Sequence, residues 1–452
     1  MPDGIAQTDG LKFSATQKKT KVRWIILGIL FMVTAVNYAD RATIAIAGPV
    51  ISKDLGLNAA QMGWIFSAFG WAYVVAQLPG GWLLDRYGSK MVYAGSLALW
   101  SLFTMAQGLV GFITGGLAVL TLFALRFALG VAESPSFPGN GRVVAAWFPK
   151  QERATASAIF NSAQYFATVL FAPLMGWITT FFGWPWVFGM MGGLGILLTI
   201  TWLKLVYSPI DHPMINRAEL DYIAAGGGLV NMDQPATQKA SGGAKWRDIG
   251  QLFSNRMMVG IFIGQYCINA ITYFFITWFP IYLVQARGMT ILNAGFATVA
   301  PAIFGFLGGI SGGIISDWLI KQGWSVSWAR KTPYILGMLA AATLVLAAIS
   351  DSNVAIVALM SFAFYGKGVA AGAGTWAVVS DTAPKEAIGL AGSIFNCVGN
   401  VAGIVTPIVF GYIVAATGGY GAGLFFVGAH CIVAAFLFLF VMGKIERVGG
   451  GV

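Results

Sequence analysis

Gly80-Gly81-Trp82-Leu83-Leu84-Asp85 and Gly312-Gly313-Ile314-Ile315-Ser316-Asp317 stand 232 positions apart and repeat one pattern: two glycines, a short and largely apolar run, and an aspartate. The echo extends further. Pro149-Lys150-Gln151-Glu152 matches Pro384-Lys385-Glu386, Ile159-Phe160-Asn161 matches Ile394-Phe395-Asn396, and Pro173 matches Pro407, all at nearly the same offset. Several matches at one separation mark an internal duplication, which has to be recognised before any element is assigned. Each copy therefore covers about half of the 452 residues.

The solvent of this duplicated chain follows from its composition. Charged side chains make up 10% of it and apolar ones 57%, with a mean hydropathy of +0.75, against roughly 25% charged residues in a soluble domain. Apolar stretches near the ~20 residues that cross a bilayer recur from Trp24 to Val441. They place spans at 24–48, 60–84, 91–111, 116–137, 154–177, 184–206, 257–283, 291–316, 333–350, 354–379, 388–412 and 420–442. The fold class expected is an all-α membrane protein of 12 transmembrane helices in two pseudo-symmetric six-helix halves. The boundaries read 1–23 for an N-terminal tail, 24–206 for the first bundle, 207–256 for a linker, 257–443 for the second bundle and 444–452 for a C-terminal tail. Within the linker, Gly226-Gly227-Gly228 and a charged stretch around Asn216 to Tyr222 suggest a turn and a short amphipathic helix.

A net charge of +10 could suggest nucleic acid, but the distribution of the cations excludes that reading. With these spans, 22 of the 27 Lys and Arg residues fall on the side of the termini, two on the other side and three inside spans. The positive-inside rule then puts both termini in the cytoplasm. The first apolar segment is too long for a signal-peptide core. Cys267, Cys397 and Cys431 all lie in apolar segments and offer neither a disulfide framework nor metal spacing. No metal or cofactor is expected, and the chain is read as a monomer in the inner membrane.

Five ionisable residues interrupt the spans: Asp40, Arg41, Arg126, Glu133 and Lys367. Each costs about 2.5 to 3.5 kcal/mol at mid-membrane, so such groups line a cavity or pair with one another. Arg126 and Glu133 share a helix face but stand two turns apart, so each needs a partner from another helix. Asp40 and Arg41 point about 100° apart, which allows one to meet the cavity and the other the fourth span. Three cations against two carboxylates leave a surplus of positive charge that would attract an anion. Arg41 and Arg126 suit a carboxylate in forked geometry, and Asp40 and Glu133 suit proton uptake. Tyr38, Tyr73, Asn161, Gln164, Tyr266, Thr375, Trp376 and Asn396 add hydroxyl and amide groups, with an indole among them, that suit a polyhydroxylated ligand. Parallel six-plus-six repeats put such a site between the halves, exposed alternately to each side. The alternatives are a permanent salt-bridge cluster, a membrane enzyme using Asp40 and Glu133 as acid and base, and a sensor that binds without transport. No nucleophile constellation supports catalysis, so no catalytic residue is assigned.

The turn Gly81-Trp82-Leu83-Leu84-Asp85-Arg86-Tyr87-Gly88-Ser89-Lys90 resembles the loop signature of the major facilitator superfamily. Asp85, Arg86 and Asp317 are then expected to latch the halves in one state, since charge–dipole contacts at helix ends break when the halves tilt. Asn37-Tyr38-Ala39-Asp40-Arg41-Ala42, Phe66 to Tyr73, Arg126 to Pro138 and Ala145-Ala146-Trp147-Phe148-Pro149 are similar to the anion:cation symporters of that superfamily. The resemblance implies proton-driven uptake of sugar acids, with Asp40 and Glu133 as proton sites and Arg41, Tyr73, Arg126, Gln164, Trp376 and Asn396 near the substrate. Phe160 to Phe166, Gln265 to Asn269, Tyr282 to Met289 and Lys367 in Tyr365-Gly366-Lys367-Gly368 resemble bacterial glucarate/galactarate transporters. An aldarate carries a carboxylate at each end, and Lys367 from the second half would balance the far one. Aldonates such as galactonate, hexuronates such as glucuronate, and Na⁺ coupling remain the alternatives.

Overall fold

The computed structural model describes residues 18–113, 115–231, 252–374, 378–379, 382–383 and 388–447. Its first half comprises α1 (Val22–Asp54), α2 (Ala59–Tyr87), α3 (Ser89–Gly108), α4 (Gly116–Glu133), α5 (Ser136–Trp147), α6 (Arg153–Phe182) and α7 (Trp184–Leu205). A linker helix, α8 (Arg217–Ala225), follows. The second half comprises α9 (Arg256–Thr277), α10 (Phe279–Gln285), α11 (Ile291–Ala297), α12 (Val299–Lys321), α13 (Val326–Ala341), α14 (Asn353–Gly374), α15 (Ile388–Thr417) and α16 (Gly421–Phe436). Among the described residues eleven stretches are long and apolar enough to cross a bilayer. The twelfth span is α2, 29 residues whose only charges, Asp85 and Arg86, lie in its last turn.

Local chemistry sets the ends. Asn58 caps α2 with a reciprocal box, its side chain accepting from Gln61 N at 2.9 Å while Gln61 Oε1 accepts from Asn58 N at 2.9 Å. Gly88 at φ 80° and Gly183 at φ 89° reverse the chain in a single residue between α2 and α3 and between α6 and α7, a backbone that only glycine enters freely. The fourth span, read as one helix over 116–137, is broken at Ser134-Pro135, because proline supplies no N–H for the helix ladder. The break leaves Glu133 at the C-terminal end of α4. Pro173 and Pro407 sit inside α6 and α15.

In each half small residues bring helix backbones together, as expected where lipid provides no hydrophobic drive for association. Gly305, Gly308 and Gly312 of α12 face the α14 backbone and side chains around Phe364, Tyr365 and Val369, and Gly368 and Gly372 return the contact. Gly130 of α4 packs against Phe69 O of α2. The contacts between halves concentrate at the end remote from the termini. There Ser52 Oγ accepts from Gln285 Nε2 at 3.1 Å, Trp64 Nε1 donates to Tyr412 Oη at 3.2 Å, and the Phe66 and Trp278 rings meet edge-on at 5.5 Å. One apolar cluster runs across both halves at this end, through Met62, Ile65, Phe66, Trp278, Phe279 and Phe410. A separate cluster at the end near the termini, with Val22, Ile26, Trp147, Trp202 and Ile223, belongs to the first half and the linker helix.

The expected short helix in the linker is present as α8, and Glu219 fastens it. Its carboxylate accepts from Val22 N at 3.0 Å, Thr20 Oγ1 at 2.6 Å and Arg23 Nη1 at 2.8 Å, so the linker caps the start of α1. The Gly226-Gly227-Gly228 turn is tied to the loop before α6 by Lys150 N donating to Gly226 O at 2.8 Å and Arg153 Nη2 to Gly227 O at 2.6 Å.

Candidate functional site

The intramembrane charges of the first half meet around α1. Arg41 Nε donates to Glu133 Oε1 at 2.6 Å, and its Nη2 is ion-paired with the same oxygen. Three rings surround the Arg41 guanidinium: Phe69 at 4.7 Å and Tyr38 and Tyr73 each at 5.0 Å. A desolvated cation over aromatic faces is attracted by their quadrupoles. Asp40 turns the other way, beside Arg126 and the Trp100 indole of α3, and neither of its oxygens has a hydrogen-bond partner. Asp40, Arg126 and Glu133 are all buried. Arg126 Nε and Nη1 and Glu133 Oε2 are also unpartnered, and Phe69 lies 5.9 Å from the Arg126 guanidinium.

Buried polar groups without partners carry a large desolvation penalty. The cluster therefore has open valences for a ligand, water or protons, and a closed salt-bridge knot would not. Arg41, expected to hold substrate together with Arg126, is ion-paired with one oxygen of Glu133, and its Nη2, like Nε and Nη1 of Arg126, has no hydrogen-bond partner.

Between the halves lies a cavity of about 60 Å³, lined by Tyr38, Gln164 and Thr168 on one side and Thr272, Phe279 and Phe364 on the other. Tyr38 connects it to Arg41. Phe364 connects it to Lys367, whose ammonium sits 4.8 Å from the Phe364 ring. Lys367 is 5% exposed and has no carboxylate partner among the described residues.

Other expected site residues divide. Asn161 Nδ2 donates to Ser157 O at 2.8 Å and Gln164 Nε2 to Asn161 O at 3.2 Å, both within α6. Asn396 Oδ1 accepts from Asn400 Nδ2 at 3.2 Å, and Asn400 Oδ1 accepts from Tyr273 Oη at 2.9 Å. Tyr266 lies against His430 of α16, ring centres 5.7 Å apart. The tyrosine that the second half presents within electrostatic reach of Arg41 is Tyr273, two turns further along α9. Tyr273 and Phe69 are functional candidates that the sequence reading missed. The signal for Tyr273 was its seven-residue spacing from Tyr266; for Phe69, which has no polar atom, there was none. Thr375 and Trp376 lie outside the described residues.

Among the described residues the latch residues find their partners within their own halves. Asp85 of α2 is ion-paired with Arg142 of α5, and Asp317 of α12 pairs with Arg330 of α13 at 3.2 Å. Arg86 lies over Trp82 at 5.2 Å and Tyr87 at 5.5 Å. Among the described residues each of the two aspartates braces a neighbouring helix of its own half.

Twelve spans in two related halves, with charges buried around a central cavity, agree with the comparisons to known proteins. The model of the Major Facilitator Superfamily matches residues 30–407. The chain belongs to this superfamily. It is 57% identical to the "Probable galactarate/D-glucarate transporter GudP" of Bacillus subtilis (strain 168), over 95% of this chain and 94% of that one. It is 55% identical to the protein of the same name from Escherichia coli (strain K12), over 96% of each. A "D-galactonate transporter" from Escherichia coli O6:H1 is 38% identical, over 96% of this chain and 98% of that one. In fold, the chain matches a bacterial homologue of the human lysosomal transporter Spinster with a TM-score of 0.74 at 15% identity, covering 94% of this chain and 98% of that one. It matches the xylose transporter XylE from E. coli with a TM-score of 0.70 at 14% identity, covering 93% and 97%.

Proposed function

We propose that this protein is a proton-coupled symporter that imports an aldarate such as D-glucarate or galactarate by alternating access. The observation that carries the reading is the pair of buried cations on opposite halves, Arg126 with unbonded donors and Lys367 without a carboxylate. A ligand with a carboxylate at each end satisfies both. The names of the relatives at 57% and 55% identity support the same substrate class.

Asp40 and Glu133 take the protons in this reading. A proton on Glu133 weakens its hold on Arg41, which then turns a second guanidinium towards the substrate, so proton and anion binding favour each other. Tyr38, Tyr73, Asn161, Gln164, Tyr273 and Asn396 contact the hydroxyls. The bundles 24–206 and 257–443 rock about the site. With the termini in the cytoplasm of a bacterial cell, the recorded arrangement, closed at the far end, is the state that releases substrate inward. Aldonate transport is the second reading, favoured by the D-galactonate relative.

Uptake into proteoliposomes with a panel of sugar acids, with and without a pH gradient, tests both readings. Concentrative uptake of diacids driven by the gradient is expected. Uptake indifferent to the pH gradient, or a preference for monoacids, would overturn the corresponding part.

A further inference from the structure

A second cavity, of about 990 Å³, lies at the inner end of the second half, remote from the central site. Its walls come from the start of α9 (Arg256), the first turns of α13 (Trp328, Lys331) and the chain after α16. Gly443, at φ 65°, turns that chain back over the helix ends. Ile445 N then donates to Ser327 Oγ at 3.2 Å, and Lys331 Nζ donates to Gly443 O. A Cβ placed on Gly443 would lie 3.4 Å from Arg256 Nη2, so the guanidinium rests on the turn itself.

Among the described residues four cations line this space, Arg256, Lys331, Lys444 and Arg447, against the carboxylate of Glu446. Among the described residues none of Arg256, Lys331 and Lys444 is ion-paired, and Lys331 is only 5% exposed. Topology asks for positive charge on this side, but solvated lysines satisfy that rule; the buried Lys331 ammonium is bonded only to the neutral Gly443 carbonyl, so its charge, beside exposed Arg256 and Lys444, can be balanced by an anion. The depth identifies its source. The cavity sits at the membrane-surface ends of three spans, where headgroup phosphates lie, with Trp328 at 51% exposure and Leu439 at 42% facing outward beside it. An indole at that level and an apolar wall below the charges suit a glycerol backbone and an acyl chain. Basic pockets between helices on the cytoplasmic side take anionic lipid headgroups.

We propose that this cavity is a binding site for an anionic phospholipid, its phosphate held among Arg256, Lys331 and Lys444 and its acyl chains lying along Leu439. Arg256, Lys331 and Lys444 suit a doubly charged headgroup such as that of cardiolipin. The lipid ties the chain after α16 to the starts of α9 and α13.

The test uses the full chain in detergent and follows thermal unfolding and native mass spectra with cardiolipin, phosphatidylglycerol, phosphatidylcholine or inorganic pyrophosphate. Cardiolipin and phosphatidylglycerol should raise the unfolding temperature and remain bound, and phosphatidylcholine should do neither. Arg256→Gln/Lys444→Gln should lower the cardiolipin affinity at least tenfold. Lys444→Gln alone, a change in an exposed tail, should lower it measurably if the double variant fails to fold. Equal stabilisation by pyrophosphate would show that the site takes a soluble anion, and unchanged cardiolipin affinity in the variants would place the lipid elsewhere. Either result overturns the proposal.

Discussion

Arg41 on α1 and Glu133 at the end of α4 form a buried ion pair with Nε–Oε1 at 2.6 Å, while Oε2 of the same carboxylate has no partner. A pair with one spare oxygen can be opened by a single proton. Glu133→Gln is expected to abolish accumulation driven by a pH gradient and to keep substrate counterflow, which needs no net proton movement. Glu133→Ala strands the Arg41 cation in the core and should cost about 3–5 kcal/mol of stability, read by thermal unfolding of the purified protein. Normal pH-driven accumulation by Glu133→Gln would remove the carboxylate from the coupling scheme.

Lys367 should discriminate by the far end of the ligand. Its replacement by Asn removes one charge-assisted hydrogen bond, a contact worth about 1.5–3 kcal/mol. Diacid affinity should fall roughly 10- to 100-fold, with monoacid affinity nearly unchanged. Competition between glucarate and galactonate in the same vesicles reads the difference, and an unchanged ratio would show that Lys367 does not contact the anion.

The closure at the end remote from the termini predicts a covalent trap. Ser52 and Gln285 touch across the halves at 3.1 Å, so Ser52→Cys/Gln285→Cys should cross-link under mild oxidation. Transport should stop and return on reduction. Either single variant should keep transporting under the same oxidant, which separates a mechanical lock from chemical damage.

How far the sequence could be read depended on the kind of signal. The duplicated Gly-Gly motif, the periodic apolar runs and the five intramembrane charges were all legible, because lipid makes long apolar helices obligatory and buried charges rare. The pairing of Arg41 with Glu133 was legible only in part: the 100° offset from Asp40 sent one residue towards the fourth span without saying which. Tyr273 was missed and Tyr266 chosen because both occupy similar positions on α9, and only the surrounding helices decide that Tyr266 meets His430. The break at Ser134-Pro135 was visible as a proline, but proline can also kink a helix and let it continue.

His212, in the linker after α7, gives a pH dependence separate from transport. It is buried against Trp147, with Nδ1 accepting from Met214 N at 3.2 Å and Nε2 3.1 Å from Leu205 O. Burial lowers its pKa below the usual 6.5, outweighing the Leu205 carbonyl, which pulls it up. The folded state thus prefers the neutral ring. Its stabilising contribution is full above pH 6.5 and is lost as the pH falls through the lower folded value, when protonated Nδ1 can no longer accept from Met214. Thermal unfolding of the wild type should weaken over this window, and His212→Gln should flatten that part of the profile.

The seal between α2 and α15, at the end remote from the termini, brings backbone against backbone at several glycines. Gly63 lies so close to Pro407 O that a Cβ there would come within 2.5 Å, Gly70 faces Gly403, and Gly411 faces Ala59 O. The glycine approaches freeze few rotamers when they form, while the side chains beside them, Met62, Phe66 and Phe410 and the Trp64–Tyr412 hydrogen bond, have to part as the halves separate. The glycine track therefore acts as a bearing surface that guides the two halves as they separate and meet again. The choice of open side is left to the occupants of the charged centre, and one added methyl group at Gly63 or Gly70 would be enough to bias that choice.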